Sequence, residues 1–168
     1  MHNRLPREYA ELRIKEWLTL TPTSTTSSPY NTKEVSAVGT SGDDLDTPDE
    51  LALRDLLLGI AHRTVQCFPE ARQFLLHVTQ REAGITGKWM VPVAMFELAI
   101  LELQQQETNK ESTKDAWLKT LELATTWLEK SLSALNSTVD MSSRLDTRIT
   151  MLKDEIATKK LSVDARVP

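Results

Sequence analysis

The stretch 56-LLLGIAHRTVQCFPEARQFLLHV-78 decides the fold. Leucines crowd both sides of a break at 66-QCFP-69, and Gly59 stands inside the first helical run. A glycine within a helix costs about 1 kcal/mol relative to alanine, so a packing reason is expected. Two runs joined by so short a break are predicted to lie antiparallel. Gly59 and Ala71 then face each other, and their small size lets the two backbones approach closely.

Working outward, the first run has a sharp start. In 47-TPDEL-51, Thr47 is the predicted N-cap, Pro48 takes the first helical position and Glu50 completes a capping box. Leu53, Leu56, Leu57, Ile60 and Ala61 form a wide apolar face, with Leu51 and Leu58 on another side. A helix apolar on most sides is buried on most sides. The second run starts near Pro69, carries Ala71, Phe74, Leu75 and Val78, and is predicted to stop with Gly84 as its cap.

Three further helices follow. One runs from near Trp89 to about Gln106, the next from about Thr113 to Leu135. The last starts after Asp140, a capping residue, and reaches about Lys160, with Glu155 and Lys159 at pairing distance along it. Upstream, 6-PREYAELRIKEWLTL-20 is a separate helix. The Ser/Thr-rich segment 21–46 has no apolar periodicity and reads as a disordered linker. The predicted organisation is therefore an N-terminal helix (1–20), the linker (21–46), a helical domain (47–162) and a tail (163–168).

Composition agrees with an all-α protein. The 168 residues are 40% hydrophobic and 26% charged, with 5 glycines and a net charge of -4. Nucleic-acid binders show a basic face, so no nucleic-acid partner is expected. The longest apolar run, 89-WMVPVAMF-96, is ended by Glu97, well short of the ~20 residues of a membrane span. A single cysteine, Cys67, excludes an intrachain disulfide and suits a reducing compartment.

The hairpin itself fits a tetratricopeptide-type repeat in part. Leu58 and Gly59 supply the Leu-Gly pair, Ala71 follows twelve positions after the glycine, and Leu75 lies four beyond it. His62 and Asp55 stand where that pattern carries aromatics. Leu98 and Ala99 open a second, looser pair with Ala116. A plain bundle, in which Gly59 only accommodates a bulky neighbour, is the alternative. The succession of hairpins favours antiparallel helical hairpins of a tetratricopeptide-like α-solenoid.

A more specific resemblance lies in 49-DELALRDLLLGIAHRTVQCFPEARQFL-75, 89-WMVPVAMFELAILEL-103 and 142-SSRLDTRITMLKDEIATKK-160. These blocks resemble the C-terminal part of the fungal inclusion-body clearance proteins, a divergent tetratricopeptide-repeat family. The resemblance covers roughly residues 48 to 162 and implies a C-terminal fragment, or a truncated gene product, lacking the upstream repeats of such proteins. It implies a cytosolic and nuclear adaptor that joins inclusions of misfolded protein and associates with lipid droplets. A peripheral association with the mitochondrial outer membrane also attaches to the family's name. No catalytic residue comes with it.

Candidate chemistry is sparse. Cys67 with His62 or His77 suggests a nucleophile and base, but no orienting partner is apparent, and a buried structural cysteine is the plainer reading. His2, His62 and His77 lack metal-ligand spacing. The acidic 43-DDLDTPDE-50 lacks the glycine and final glutamate of a calcium loop. Thr21, Ser28 and Thr47 precede prolines, which allows proline-directed phosphorylation, though composition alone explains them. Trp89, Trp117 and Trp127 read as core and groove aromatics rather than a ligand-stacking set. Arg144, Arg148 and Lys153 form a basic rim diluted by Asp146 and Asp154.

The expected function is a non-enzymatic protein-interaction scaffold with no catalytic site, cofactor or metal. Its expected partners are other proteins, lipid-droplet proteins among them. The alternative is a lipid or sterol carrier with a cavity lined by Met90, Phe96 and the tryptophans. One consequence concerns self-association. Leu51, Leu53, Leu57, Leu58 and Ile60 cover most of the first domain helix, so it exposes an apolar patch unless the N-terminal helix folds back on it.

Overall fold

The computed structural model describes residues 6–19, 47–109, 113–135 and 142–165. Six α-helices account for nearly all of these: α1 (Arg7–Thr19), α2 (Pro48–Thr64), α3 (Phe68–Gln80), α4 (Met90–Thr108), α5 (Lys114–Leu135) and α6 (Ser142–Asp164). No strand occurs among the described residues, and the protein is all-α. The linker expected at 21–46, the cap expected of Asp140 and residues 166–168 of the predicted tail lie outside the described residues.

The start of α2 forms as its sequence predicts. Glu50 N–H donates to Thr47 Oγ1 at 3.2 Å, and Thr47 N–H donates to Glu50 Oε2 at 3.1 Å. Its end is a turn at 65–67 in which Gln66 takes φ 66°. There Cys67 N–H donates to the His62 carbonyl at 2.9 Å and Gln66 N–H to that of Arg63 at 3.1 Å. These bonds satisfy the last carbonyls of α2 in a Schellman arrangement, usually built on glycine.

α3 ends before the predicted glycine. Gln80 is its last residue and Arg81 caps it, while Gly84 closes a separate 3-10 turn, Glu82–Gly84. The turn precedes a loop that Asp49 holds. The Asp49 carboxylate accepts from Gly87 N–H at 2.6 Å and from Thr86 N–H at 3.1 Å. These amides hold the Asp49 carboxyl below its ordinary range. A side chain at Gly87 would sit 2.9 Å from Asp49 Oδ1, so the close approach needs glycine.

Long-range pairs give the helix directions. Asp55, early in α2, meets His77, late in α3; Arg72, early in α3, meets Glu102, late in α4. Ser131, late in α5, donates to the carbonyl of Pro92, early in α4, at 2.7 Å. Lys114 opens α5 and reaches Asp164 at the end of α6. Each successive pair is therefore antiparallel, and α2, α4 and α6 share one direction. α6 runs past the predicted Lys160 because Val163 is buried and Asp164 is paired with Lys114.

α4 is the central helix. It borders two packed clusters: Val91, Ala94, Leu98 and Leu101 join α2 and α3, while Phe96 and Ala99 join α5 and α6. That double duty explains why its sequence is apolar on most sides. α3 and α5 each bury one stripe instead. α1 packs back onto α2, with Ala10, Ile14 and Trp17 against Ala61 and Val65. The fold-back covers the Ala61 side of α2; Leu58 is buried, but Leu53 and Leu57 stay at the surface, 39% and 36% exposed.

Candidate functional site

The three helices that share a direction are tied by charge. Arg63 of α2 places Nη2 2.7 Å from Glu97 Oε2 of α4, and Arg148 of α6 lies 3.9 Å from Glu97 Oε1. Arg63 also donates to Gln104 Oε1 at 2.9 Å. The Arg148 guanidinium covers the Phe96 ring at 4.6 Å. Glu97 is buried, and a buried carboxylate needs such partners.

Beside this tie, the seam between α4 and α6 opens into a groove of about 160 Å³. Ile100 and Leu103 of α4, Trp117 of α5, and Leu152 and Ile156 of α6 form its floor. Gln104, Glu107, Glu155 and Lys159 form its rim. Lys159 pairs with Glu107 at 3.7 Å and sets its ammonium 4.6 Å from the centre of the Trp117 ring. Glu155, predicted to pair with Lys159, makes no ion pair among the described residues because Lys159 turns to Glu107 and Trp117.

A second cavity, about 400 Å³, opens between the start of α3, the end of α4 and the start of α5. Its walls are polar: Arg72, Glu102, Gln105, Gln106 and Thr120. Both carboxylate oxygens of Glu102 take up the Arg72 guanidinium, and Gln105 accepts a further bond from it at 2.9 Å. The charges here satisfy one another.

Asp55 is fully buried in a third cluster. His77 Nδ1 lies 2.7 Å from its Oδ2, Arg54 donates to its Oδ1 at 3.1 Å, and Arg81 stands 3.6 Å away. This ties the middle of α2 to the C-terminal end of α3. His62 is buried against Phe74 with ring centroids 5.5 Å apart, and neither ring nitrogen has a hydrogen-bond partner among the described residues. Burial pushes its pKa below the ordinary histidine value, with the Glu70 carboxylate opposing.

Cys67 is exposed rather than buried, because it follows the αL turn and leads into α3 from outside the core. His77 lies near the far end of α3 on Asp55 and His62 is stacked on Phe74, so Cys67 and the histidines do not converge. No group of three or more His, Cys, Asp or Glu side chains is placed to hold a metal among the described residues. The Thr47 hydroxyl is engaged in its capping box. His2, Thr21 and Ser28 lie outside the described residues. Trp127 packs between the two clusters, Trp117 floors the groove and Trp89 is partly exposed. Met90 and Phe96 are buried in different clusters. Arg148 of the predicted basic rim is the one that reaches Glu97.

Sequence reasoning passed over Glu97 and Glu102 as functional residues. The signal was present: two carboxylates five apart in the most apolar helix of the chain must find buried partners.

No protein-family model, curated protein or solved structure matches the chain. No helix among the described residues is long and apolar enough to cross a membrane.

Proposed function

We propose that this chain is a non-enzymatic protein-interaction scaffold of tetratricopeptide-like helical hairpins. The observation that carries this reading is the α4–α6 seam: an apolar floor with an aromatic side chain, bounded by charged residues, on the side where helices of one direction meet. Stacked hairpins bind partners on such shared faces. Apolar grooves with an aromatic anchor are the usual centres of protein interfaces.

A groove of about 160 Å³ is below the ~300–1,000 Å³ of sites that enclose small molecules, and it suits side chains of a peptide. The carrier reading asks Met90 and Phe96 to line one cavity, and they pack in separate clusters. The resemblance to inclusion-body clearance proteins adds a setting: an adaptor at protein inclusions and lipid droplets, in cytosol and nucleus. A fluorescent fusion tests the setting alone. Diffuse fluorescence during heat stress and lipid loading would remove it and leave the scaffold.

The scaffold is tested by photo-crosslinking in the cell of origin. A photoreactive residue at Gln104, on the groove rim, is expected to give discrete protein adducts. One at Glu122, on the exposed side of α5, is not. Adducts from neither position, or equally from both, contradict the reading.

A further inference from the structure

We infer that the α4–α6 groove takes a basic amphipathic segment of a partner protein: leucine-sized side chains on its floor and a lysine or arginine on Glu155. The inference rests on the scaffold reading and names the partner's chemistry. The floor supplies the first half of the argument. Ile100, Leu103, Leu152, Ile156 and Trp117 line an apolar recess, with the Lys159 ammonium over the Trp117 ring at one side, and such a recess takes side chains spaced one helical turn apart.

The rim supplies the second half. Its charged groups are Glu107, Glu155 and Lys159. Lys159 is already held by Glu107 at 3.7 Å and by the Trp117 ring at 4.6 Å. That leaves the Glu155 carboxylate as the rim's uncompensated charge, with no ion pair among the described residues. An acidic segment would meet the Glu155 carboxylate without relief, which is how a groove rejects the wrong partner. A cation beside the anchor side chain gains a partner instead.

The test uses the full chain and two labelled helical peptides of about 16 residues. Both carry leucines at i, i+3, i+4 and i+7; one has lysines on its polar face, the other glutamates. Binding is read by fluorescence anisotropy at near-physiological salt, where distant charges are screened. The lysine peptide is expected to bind at least ~10-fold more tightly than its glutamate counterpart. Glu155→Lys should reduce that preference about tenfold, whereas Glu122→Lys, with the same change in net charge, should alter it less than about twofold. Both sites are exposed, and circular dichroism checks that each variant is folded.

Equal effects of the two reversals, no charge preference, or binding of neither peptide would overturn the inference. Dimerisation abolished by Glu155→Lys without peptide binding, or binding to uncharged phosphatidylcholine vesicles instead, would also overturn it. Crosslinked partners at Gln104 alongside any of these results would leave the scaffold standing and remove only the basic class of segment.

Discussion

A methyl group added at Gly59 would lie 2.6 Å from Leu75 Cγ and 2.7 Å from its Cδ2, with the Ala71 carbonyl at 3.4 Å. Leu75 is fully buried and has nowhere to go. The glycine thus meets the leucine side chain of the facing helix more than Ala71 itself. Gly59→Ala recovers about 1 kcal/mol of helix propensity against about 1–3 kcal/mol of overpacking. Crowding wins, so urea melts should show the variant less stable; a more stable variant would contradict the packing. His62 gives a pH test. Its folded pKa is lowered by burial, while in the unfolded chain it protonates near ~6.5. Above that pH both states are neutral and His62 contributes no pH dependence. As pH falls below it, the unfolded chain takes a proton that the fold refuses, and stability drops until the folded pKa is reached. Urea melts at pH 7 and pH 5 should therefore show a smaller loss for His62→Phe, which keeps the stack on Phe74. Equal losses would mean that His62 is not held neutral. At this scale the antiparallel α2–α3 hairpin was legible from Gly59 and the break at 66–69, but the side chain against the glycine is Leu75, the bulky neighbour of the alternative reading, and Ala71 comes close only through its carbonyl. The exposure of Cys67 was not, because it depends on the αL residue before it.

The turn between α2 and α3 stores a local cost in Gln66, whose φ of 66° crowds its Cβ. Gln66→Gly keeps both capping bonds and removes that strain, so it should raise stability by about 1 kcal/mol, read as a higher urea midpoint at unchanged slope. A lower midpoint would mean that the glutamine side chain earns its place by a contact. The helices themselves were legible where end signals were local, as with the capping box at Thr47 and the polar break before α5. The end of α3 was misread because Gly84 looked like a cap, while the helix needed only Arg81 and passed the chain to a 3-10 turn. The directions of α2, α4 and α6 followed from hairpin logic, but their seams did not. Arg63 and Gln104 are 41 residues apart, beyond any periodicity of one helix.

Across the whole molecule, the Glu97 carboxylate joins α2, α4 and α6. Arg63→Met should cost about 3 kcal/mol, since it strands a buried charge. Arg148, 3.9 Å away and largely exposed, offsets little. Pairing it with Glu97→Leu should recover most of the loss, since an apolar pair can replace a buried ionic one. Thermal melts of the single and double variants check this, and a double variant no better than the single would contradict a simple charge tie. Leu53 and Leu57 are left exposed on α2, but the groove is the more specific prediction. Isoleucine methyl spectra, recorded with and without the lysine peptide, test it most directly. Docking in the α4–α6 seam predicts that the Ile100 and Ile156 methyls shift together while Ile14 and Ile85 stay in place. Shifts confined to Ile14 and Ile60, or none at a saturating concentration, would contradict it.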